Sequence, residues 1–567
     1  MLAGLGCAAT PAAASGAPPV GAFADLAAQP LPVAAQEIRR LAQEGVTTLR
    51  HPLDWNRVEP VSGRFSWKAD DAVVNAAAAA GLEVVAVLGP CATWAVDPAW
   101  QVAAGDRASS IPKSLNAWER YVREAVRRYR GRVRYWQVRE WPGGRNFRGA
   151  ASEYRRLVAS AARVIRAVDP SAHLLHPEAG SLDLGGLSRL CASEELRPGD
   201  AVGLYLPAAP EATPLPWSVI RHEILAERGG PPPAVFVLGA EGTLSADLWL
   251  QHYLLAWAFG AARVYLPPQT ISRAWTAPLA SLTYLGHLRL GPQVWALAFE
   301  EDGQPVAAVW AASEIEMPAG ELAPVRDAAA LATSAQLGGA PGAVVVGSGE
   351  QARLALGPRP ALIRGLALEA GLRTGSPTRA EVLAARGGPD MSALPLVYAD
   401  FAMPERPEFG LAHRRLRGHP GGKAADDSVG GRPCVRTMAQ KGGTSQDPGN
   451  PWLYFDVDES WLYFARGRTP VAVTVECYGS YLGERQLGFN IYYDSASGYR
   501  FTPWQWVAPG YSWQRYRVEL PDASFADGGG YDFRINVVGS KQDLWVASVT
   551  VEKLTLPGQA EGHAPFS

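Results

Sequence analysis

The feature that most constrains this chain is a regular alternation of two apolar patterns between residues 20 and 267. Short apolar runs typical of strands are separated by stretches in which apolar residues recur every three or four positions, as in amphipathic helices. This alternation predicts a parallel sheet with crossover helices, and eight strands predict closure into a (β/α)8 (TIM) barrel. An open doubly wound sheet is the alternative, but no glycine-rich phosphate loop follows the first run. The eight runs lie at residues 20–23, 46–50, 83–88, 133–138, 172–176, 201–205, 234–239 and 263–266.

The pattern changes after the eighth run, and short strands separated by turns replace the helices. At about 150 residues per domain, 567 residues also predict several domains. We expect an N-terminal tail or signal remnant at 1–19, the barrel at 20–290 and a small β-sandwich packed on it at 291–368. A linker at 369–396 then leads to an all-β domain at 397–556, a β-sandwich or jelly roll.

Composition limits the classes of partner. The chain is 47% hydrophobic and 19% charged, as expected of folded protein, and no stretch approaches the ~20 apolar residues that span a bilayer. With 53 Lys and Arg against 55 Asp and Glu, the net charge of −2 provides no global field for nucleic acid. The 19 tryptophans favour a neutral polar ligand such as a sugar, whose ring stacks on indole faces. The oligomeric state stays open.

The N-terminus and the cysteines bear on location. The sequence MLAGLGC and the small residues after it resemble the end of a secretory or lipoprotein signal, and a flexible tail is the alternative. We therefore expect an extracellular or cell-surface protein, with Cys7 as the candidate for a lipid anchor. The absence of any CxxC disfavours metal and thiol chemistry. Cys434 and Cys477 form either one disulfide or two buried thiols.

No cofactor is expected. Four acidic residues of the C-terminal domain leave open a structural calcium, because carboxylate oxygens are its preferred ligands. Solvated loop acids are the alternative interpretation. The four are Asp426, Asp427, Asp456 and Asp458.

Sequence motifs follow the second and third strand-like runs. The second leads into the order Arg, Trp, Glu-Pro, Gly, aromatic and Trp, and Trp94 follows the third. This order resembles the clan A glycoside hydrolases, in particular family 39, and the resemblance covers most of residues 47–267. It implies a retaining glycosidase architecture, with aromatic residues lining a sugar site. The matching residues are Arg50, Trp55, Glu59, Pro60, Gly63, Phe65 and Trp67.

The fourth strand departs from that family. Its members end this strand with Trp-Asn-Glu-Pro, in which the Glu is the general acid and base. Here the sequence is RYWQVREWPGG. If Pro142 sets the register, Trp141 occupies the acid position and Glu140 the Asn position.

The sixth and seventh strands depart as well. The family's nucleophile lies in Thr-Glu-aromatic-Gly, whereas this chain has VFVLGAEGT, so that Ala240 occupies the nucleophile position and Glu241 follows it. Tyr205 replaces a His at the end of the sixth strand. Retaining hydrolysis needs two carboxyls about 5–5.5 Å apart, and neither usual position supplies one.

Three functions remain open. The first is a catalytically impaired pseudoenzyme that binds a polysaccharide or oligosaccharide through five residues of the barrel mouth. The second is an active glycoside hydrolase that uses Glu140 and Glu241 as displaced carboxylates, and the third is a structural cell-surface or assembly protein. His176 with Glu178 offers a further base pair or a structural group. The expected sugar contacts are Arg50, Trp55, Trp94, Trp141 and Tyr205.

The C-terminal domain resembles a carbohydrate-binding-module jelly roll in size, position and aromatic content. The same fold also serves as a plain spacer, so both roles stay open. The candidates for a stacking face are Tyr478, Tyr481, Tyr492, Tyr493, Trp504, Trp506 and Trp513.

Overall fold

The computed structural model divides into two compact units, a larger one of residues 1–182 and 190–387 and a smaller one of residues 183–189 and 388–567. The described residues are 16–96, 111–138, 151–181, 184–240, 242–290, 293–324, 332–336, 344–346, 351–403, 405, 407–415, 424–438, 452–479, 487–526, 530–537 and 543–554.

The larger unit begins with a closed barrel of eight parallel strands in sequence order, which confirms the predicted barrel. The first strand, although bordered by Gly, Pro and Ala, closes the ring, because Val20 pairs with Val264 and Phe23 pairs with Arg50. The strands are β1 (Val20–Phe23), β2 (Thr48–Leu53), β3 (Glu83–Leu88), β4 (Val133–Val138), β5 (His173–Ser181), β6 (Ala201–Leu206), β7 (Ala234–Ala240) and β8 (Arg263–Leu266).

Helices follow the strands and bury their apolar stripes on the barrel. In the helix Leu115–Tyr129, the apolar stripe from Trp118 to Tyr129 is buried, and the Ser114 side chain caps the first turn by accepting from the Ala117 N–H. The helices are α1 (Leu31–Gln43), α2 (Trp55–Val58), α3 (Lys68–Ala79), α4 (Leu115–Tyr129), α5 (Ala151–Val168), α6 (Leu184–Ala192), α7 (Pro214–Val219), α8 (Ala246–Ala258) and α9 (Arg273–Ala280).

Helix α8 is apolar on almost every side and is buried from Trp249 to Ala258. A helix of this kind needs cover on two sides. The barrel covers one side, and a β-sandwich covers the other: the Trp257 and Phe299 ring centroids are 4.7 Å apart, and Gln251 Nε2 donates to the Pro358 carbonyl at 2.5 Å. The second layer is therefore packed on the barrel through α8.

This sandwich pairs a six-stranded sheet, in the order β13-β16-β11-β10-β9-β17, with a three-stranded sheet, β12-β15-β14. The sandwich begins at Thr283, before the boundary expected at residue 291. A helix, Arg379–Arg386, occupies part of the linker expected at 369–396. The elements are β9 (Thr283–Leu290), β10 (Val294–Glu301), β11 (Gln304–Ala311), β12 (Ile315–Pro318), α10 (Ala319–Leu322), β13 (Ala332–Gln336), β14 (Val344–Val346), β15 (Arg353–Leu356), β16 (Ala361–Arg364), β17 (Arg373–Thr374) and α11 (Arg379–Arg386).

The smaller unit is a sandwich of two antiparallel sheets around one apolar core. Alternate residues of its longest strands point into this core, among them Val471, Val473, Val475 and Cys477. The strands are β18 (Leu396–Asp400), β19 (Glu408–Phe409), β20 (Leu411–Arg414), β21 (Ala425–Val429), β22 (Arg432–Arg436), β23 (Trp452–Val457), β24 (Val471–Gly479), β25 (Gly488–Ser495), β26 (Gly498–Phe501), β27 (Gln505–Trp506), β28 (Ser512–Leu520), β29 (Phe533–Asn536) and β30 (Trp545–Lys553).

The fold resolves the alternative left open for two cysteines. Cys434 and Cys477 are both buried thiols and form no disulfide. Across the described ranges, no helix is long and apolar enough to cross a membrane. Cys7 and residues 1–15 lie outside the described residues.

Candidate functional site

The candidate site lies at the carboxyl ends of the barrel strands, where (β/α)8 enzymes place their reactive groups. Arg50 of β2 is completely buried inside the barrel. Its Nε donates to Gln137 Oε1 of β4 at 2.7 Å, and its Nη2 donates to the Tyr205 hydroxyl of β6 at 3.4 Å. A third donor, Nη1, is 3.5 Å from the Leu238 carbonyl oxygen of β7. One guanidinium thus connects four strands just below the mouth.

Gln137 is a member of this group that the sequence motifs did not single out. It is fully buried, and its Nε2 has no hydrogen-bond partner. Its only sequence signal is a polar residue among apolar neighbours in β4, at a position that shares a face with Tyr135. The amide orients Arg50, because its acceptor oxygen occupies the Nε donor.

Strand β7 ends with Gly239 and Ala240. Its register against β6 shifts just before Gly239, which pairs with Tyr205, while Ala240 pairs with Leu206. Because Tyr205 reaches Arg50 inside the barrel, Gly239 shares its inner face, and Ala240 is half-buried. Neither of the two residues that end the seventh strand carries a carboxylate.

Trp55 lies in the core and not in the mouth. It is completely buried, its ring stacks on Tyr121 at 5.0 Å, and Trp94 and Trp118 pack edge-on at 5.6 Å each. A ring enclosed in this way has no open face for a sugar. Trp55 therefore packs the loop after β2 against its neighbours, and the prediction that it contacts a sugar is wrong.

Trp94 differs because it is half-buried. Its Nε1 donates to the Glu59 carbonyl oxygen at 2.7 Å, and the Arg120 guanidinium lies 5.8 Å from its ring centroid. The hydrogen bond fixes the ring in the loop after β3 while part of it stays exposed. Trp94 is the described tryptophan of the motif set that retains access to solvent at the mouth.

Glu59 of the motif holds this loop together. Its buried carboxylate accepts from Trp55 Nε1 at 2.7 Å, from the Gly63 N–H at 2.6 Å and from Arg120 Nη2 at 2.7 Å. Gly63 has φ of +82°, a conformation that favours glycine in the turn. The Glu-Pro-Gly part of the motif therefore has a structural role: it stabilises the loop after β2.

A second network lies on the outer side of β2. His51 Nε2 is 3.1 Å from Asp70 Oδ1, and Arg57 Nη2 donates to the same oxygen at 2.9 Å. Burial alone would raise the pKa of Asp70, but hydrogen bonds from His51 and Arg57 outweigh burial and lower it. This network fixes α2 and α3 to the barrel wall and faces away from the mouth.

His176, the candidate base on β5, also faces outward. Leu175 lies in the barrel cluster, so alternation directs His176 to the helices, where its Nε2 is 3.6 Å from Asp200 Oδ2. Burial alone would raise the pKa of Asp200, but hydrogen bonds, first of all from His176, lower it. The structural interpretation of His176 therefore holds. The side chain of Glu178 lies outside the described residues.

Three predicted site residues, Glu140, Trp141 and Glu241, lie outside the described residues. In the part of the chain that is described, no group of three or more Asp, Glu, His or Cys side chains converges on a metal site. Asp456 pairs with Arg414, and Asp427 lies 2.8 Å from Arg436 Nε.

The aromatic candidates of the smaller unit differ in their exposure to solvent. Tyr478 and Tyr493 are buried, and Trp513 packs edge-on against Tyr478 at 5.4 Å. Trp504 and Trp506 are exposed by 39% and 53%. Tyr481 lies outside the described residues.

Several solved structures resemble this chain. A family 39 glycoside hydrolase from the gut symbiont Bacteroides cellulosilyticus WH2 has 17% identity over 61% of this chain and 81% of that chain, with a TM-score of 0.47. A GH30 endoxylanase from Clostridium papyrosolvens C71 has 10% identity over 63% and 98%, with a TM-score of 0.41. Endo-glycoceramidase II from Rhodococcus sp. has 16% identity over 63% and 97%, with a TM-score of 0.36.

No model of a known protein family matches the chain. At these identities and TM-scores the likenesses support no statement about activity, and the barrel rests on its own strand order. The architecture that the motif resemblance implied is confirmed by the strand order itself: the chain has a (β/α)8 barrel followed by β-sandwiches.

Proposed function

We propose that this protein binds a polysaccharide or oligosaccharide at the barrel mouth without cleaving it. The observation that carries the proposal is the end of β7, where Gly239 and Ala240 carry no carboxyl group. Retaining hydrolysis needs a carboxylate there to attack the anomeric carbon, and neither a hydrogen nor a methyl group has a lone pair to donate. The barrel keeps the scaffold of a sugar site while this position lacks its nucleophile.

The binding surface in this proposal combines the Tyr205 hydroxyl, held by the buried Arg50, with the half-buried Trp94 ring. Arg50 is oriented by Gln137 and hydrogen-bonded to Tyr205, which is half-buried and can offer its hydroxyl to a sugar. Trp94 supplies an indole for stacking on the apolar face of a sugar ring. Trp141 stays a further proposed contact. A polysaccharide ligand and the signal-like N-terminal sequence together favour a role outside the cell or at its surface.

The test separates ring stacking from loop positioning. Trp94→Ala is expected to weaken oligosaccharide binding by roughly tenfold, which is about 1.4 kcal/mol, in calorimetric titration of the full chain against a panel of neutral oligosaccharides. Trp94→Phe keeps a ring but loses the hydrogen bond to Glu59, so it is expected to retain most of the affinity. Equal affinity of the native chain and Trp94→Ala contradicts the proposed surface.

Hydrolysis by displaced carboxylates is the second candidate. It is favoured by Arg50, whose Nη1 lies 3.5 Å from the Leu238 carbonyl, below the end of β7 where the resemblance places a carboxylate partner. Under our proposal the native chain releases no product from aryl glycosides or polymers. If it does, and if Glu140→Gln or Glu241→Gln abolishes the release, the second candidate replaces the first.

A further inference from the structure

The outer face of the sheet that contains β23, β29, β25 and β26 carries a row of aromatic rings. Phe489 and Ile491 of β25 lie in the core, so alternation turns Tyr492 outward. Residues directly opposite each other on neighbouring strands share a face, which places Phe501 beside Tyr492 and Trp506 beside Gly488. The exposed rings of this face, here called the aromatic face, are Tyr499, Phe501, Trp504 and Trp506.

These rings are open to solvent although they are large. They are between 38% and 57% exposed, and Trp504 stacks beside Trp506 with centroids 6.0 Å apart and planes 23° apart. A Cβ at Gly488 would lie 2.7 Å from the Trp506 ring, so the missing side chain lets the indole pack directly on the strand. The two indoles thus form a fixed platform. Exposed aromatic groups of this size mark binding sites more often than chance.

Arg534, a cation of β29, lies on the same face. Arg534 of β29 is directly opposite Tyr492, and its guanidinium carbon is 4.5 Å from the Tyr492 ring centroid and 4.6 Å from that of Trp452. Trp452 is held in place because its Nε1 donates to Asn536 Oδ1 at 2.8 Å. Arg534 Nε is buried without a hydrogen-bond partner, and within the described residues no carboxylate forms an ion pair with Arg534.

We propose that the aromatic face binds an acidic glycan, with sugar rings stacked on Trp504 and Trp506 and a sugar carboxylate paired with Arg534. A guanidinium fixed between two rings presents its donors edge-on, which is the geometry that a carboxylate accepts. A neutral glycan could stack on the two indoles but would leave the charge of Arg534 without a counter-ion. The proposal goes beyond the barrel-mouth function, because it concerns a second site and a charged class of ligand.

The experiment uses the full chain and polygalacturonate as the acidic probe, with a soluble neutral β-glucan for comparison. Affinity electrophoresis at low and high salt is expected to show tighter binding to polygalacturonate, weakened by salt. Arg534→Gln and Trp506→Ala are each expected to lower this affinity roughly tenfold. Arg500→Gln is the control: this arginine belongs to β26 of the same sheet but pairs with Asp522, so no change is expected.

Three results would overturn the proposal. One is binding of the neutral glucan as tight as that of polygalacturonate, with no effect of Arg534→Gln. Another is no binding of polygalacturonate and of alginate, a second acidic probe, by the native chain. The third is loss of polygalacturonate binding in Trp94→Ala but not in Arg534→Gln, which would place the ligand at the barrel mouth and leave the proposed function intact. Arg534→Lys and near-UV circular dichroism check that a loss does not come from misfolding.

Discussion

Glu59 shows how one buried carboxylate can organise a loop that a motif marks as functional. It accepts three hydrogen bonds, from Trp55, Gly63 and Arg120, while fully buried. Glu59→Gln replaces an acceptor with a donor that faces other donors, so we expect a loss of about 1–3 kcal/mol in the free energy of unfolding of the larger unit, measured by urea denaturation. Glu37→Gln, which breaks only a surface pair with Arg40, is expected to change it by less than about 0.5 kcal/mol. Equal effects of the two variants would contradict the role of Glu59 in stabilising this loop.

Helix α8 joins two layers because both of its sides are apolar. Trp257 is fully buried, and its ring lies 4.7 Å from that of Phe299 in the sandwich. Trp257→Ala leaves a cavity between the layers and is expected to cost about 3–5 kcal/mol, seen as a lower midpoint of a single thermal transition for barrel and first sandwich together. Leu248→Ala, at a half-buried position near the start of α8, is expected to cost less than half as much. Two separate transitions in the native protein would show that α8 does not couple the layers.

Across the whole molecule, buried histidines make stability depend on pH. Burial lowers the pKa of His252, on α8, to about 4, and burial likewise lowers the pKa of His413, on β20, to about 4. The unfolded chain protonates these groups near pH 6.5 while the folded chain does not, so stability is complete above about pH 6.5 and is lost as the pH falls towards 4. For fully buried His252 the loss is roughly 3 kcal/mol.

The measurement is the urea midpoint of the larger unit between pH 7 and pH 4. His252→Gln is expected to flatten the decline, because the variant has no proton to gain on unfolding at this site. Below that range the lowered pKa values of Asp70 and Asp200 add a further loss, since those carboxylates protonate more readily in the unfolded chain. A decline of the same slope in His252→Gln would show that other groups dominate.

The amino-acid sequence by itself determined the barrel, its strand count and the apolar faces of its elements. Period-two and period-3.6 patterns report burial locally, so β1, β3, β4 and β8 have the predicted bounds, and the α4 stripe is buried. The motif also singled out Arg50, which lies buried inside the barrel and bonds to three other strands. Local patterns were enough to predict these features, because the side to which a residue points follows from the periodicity of its own strand or helix.

Only the tertiary structure decided which groups meet. Arg50 and Gln137 are 87 residues apart, and no periodicity in either segment predicts their hydrogen bond. Trp55 and Trp94 belong to the same aromatic pattern, yet one is enclosed by rings from α4 and the other keeps an exposed part. In the smaller unit, the exposure of Trp506 depends on Gly488 of another strand. Such outcomes depend on partners brought together by chain closure over long separations, and a residue's type and spacing do not encode them.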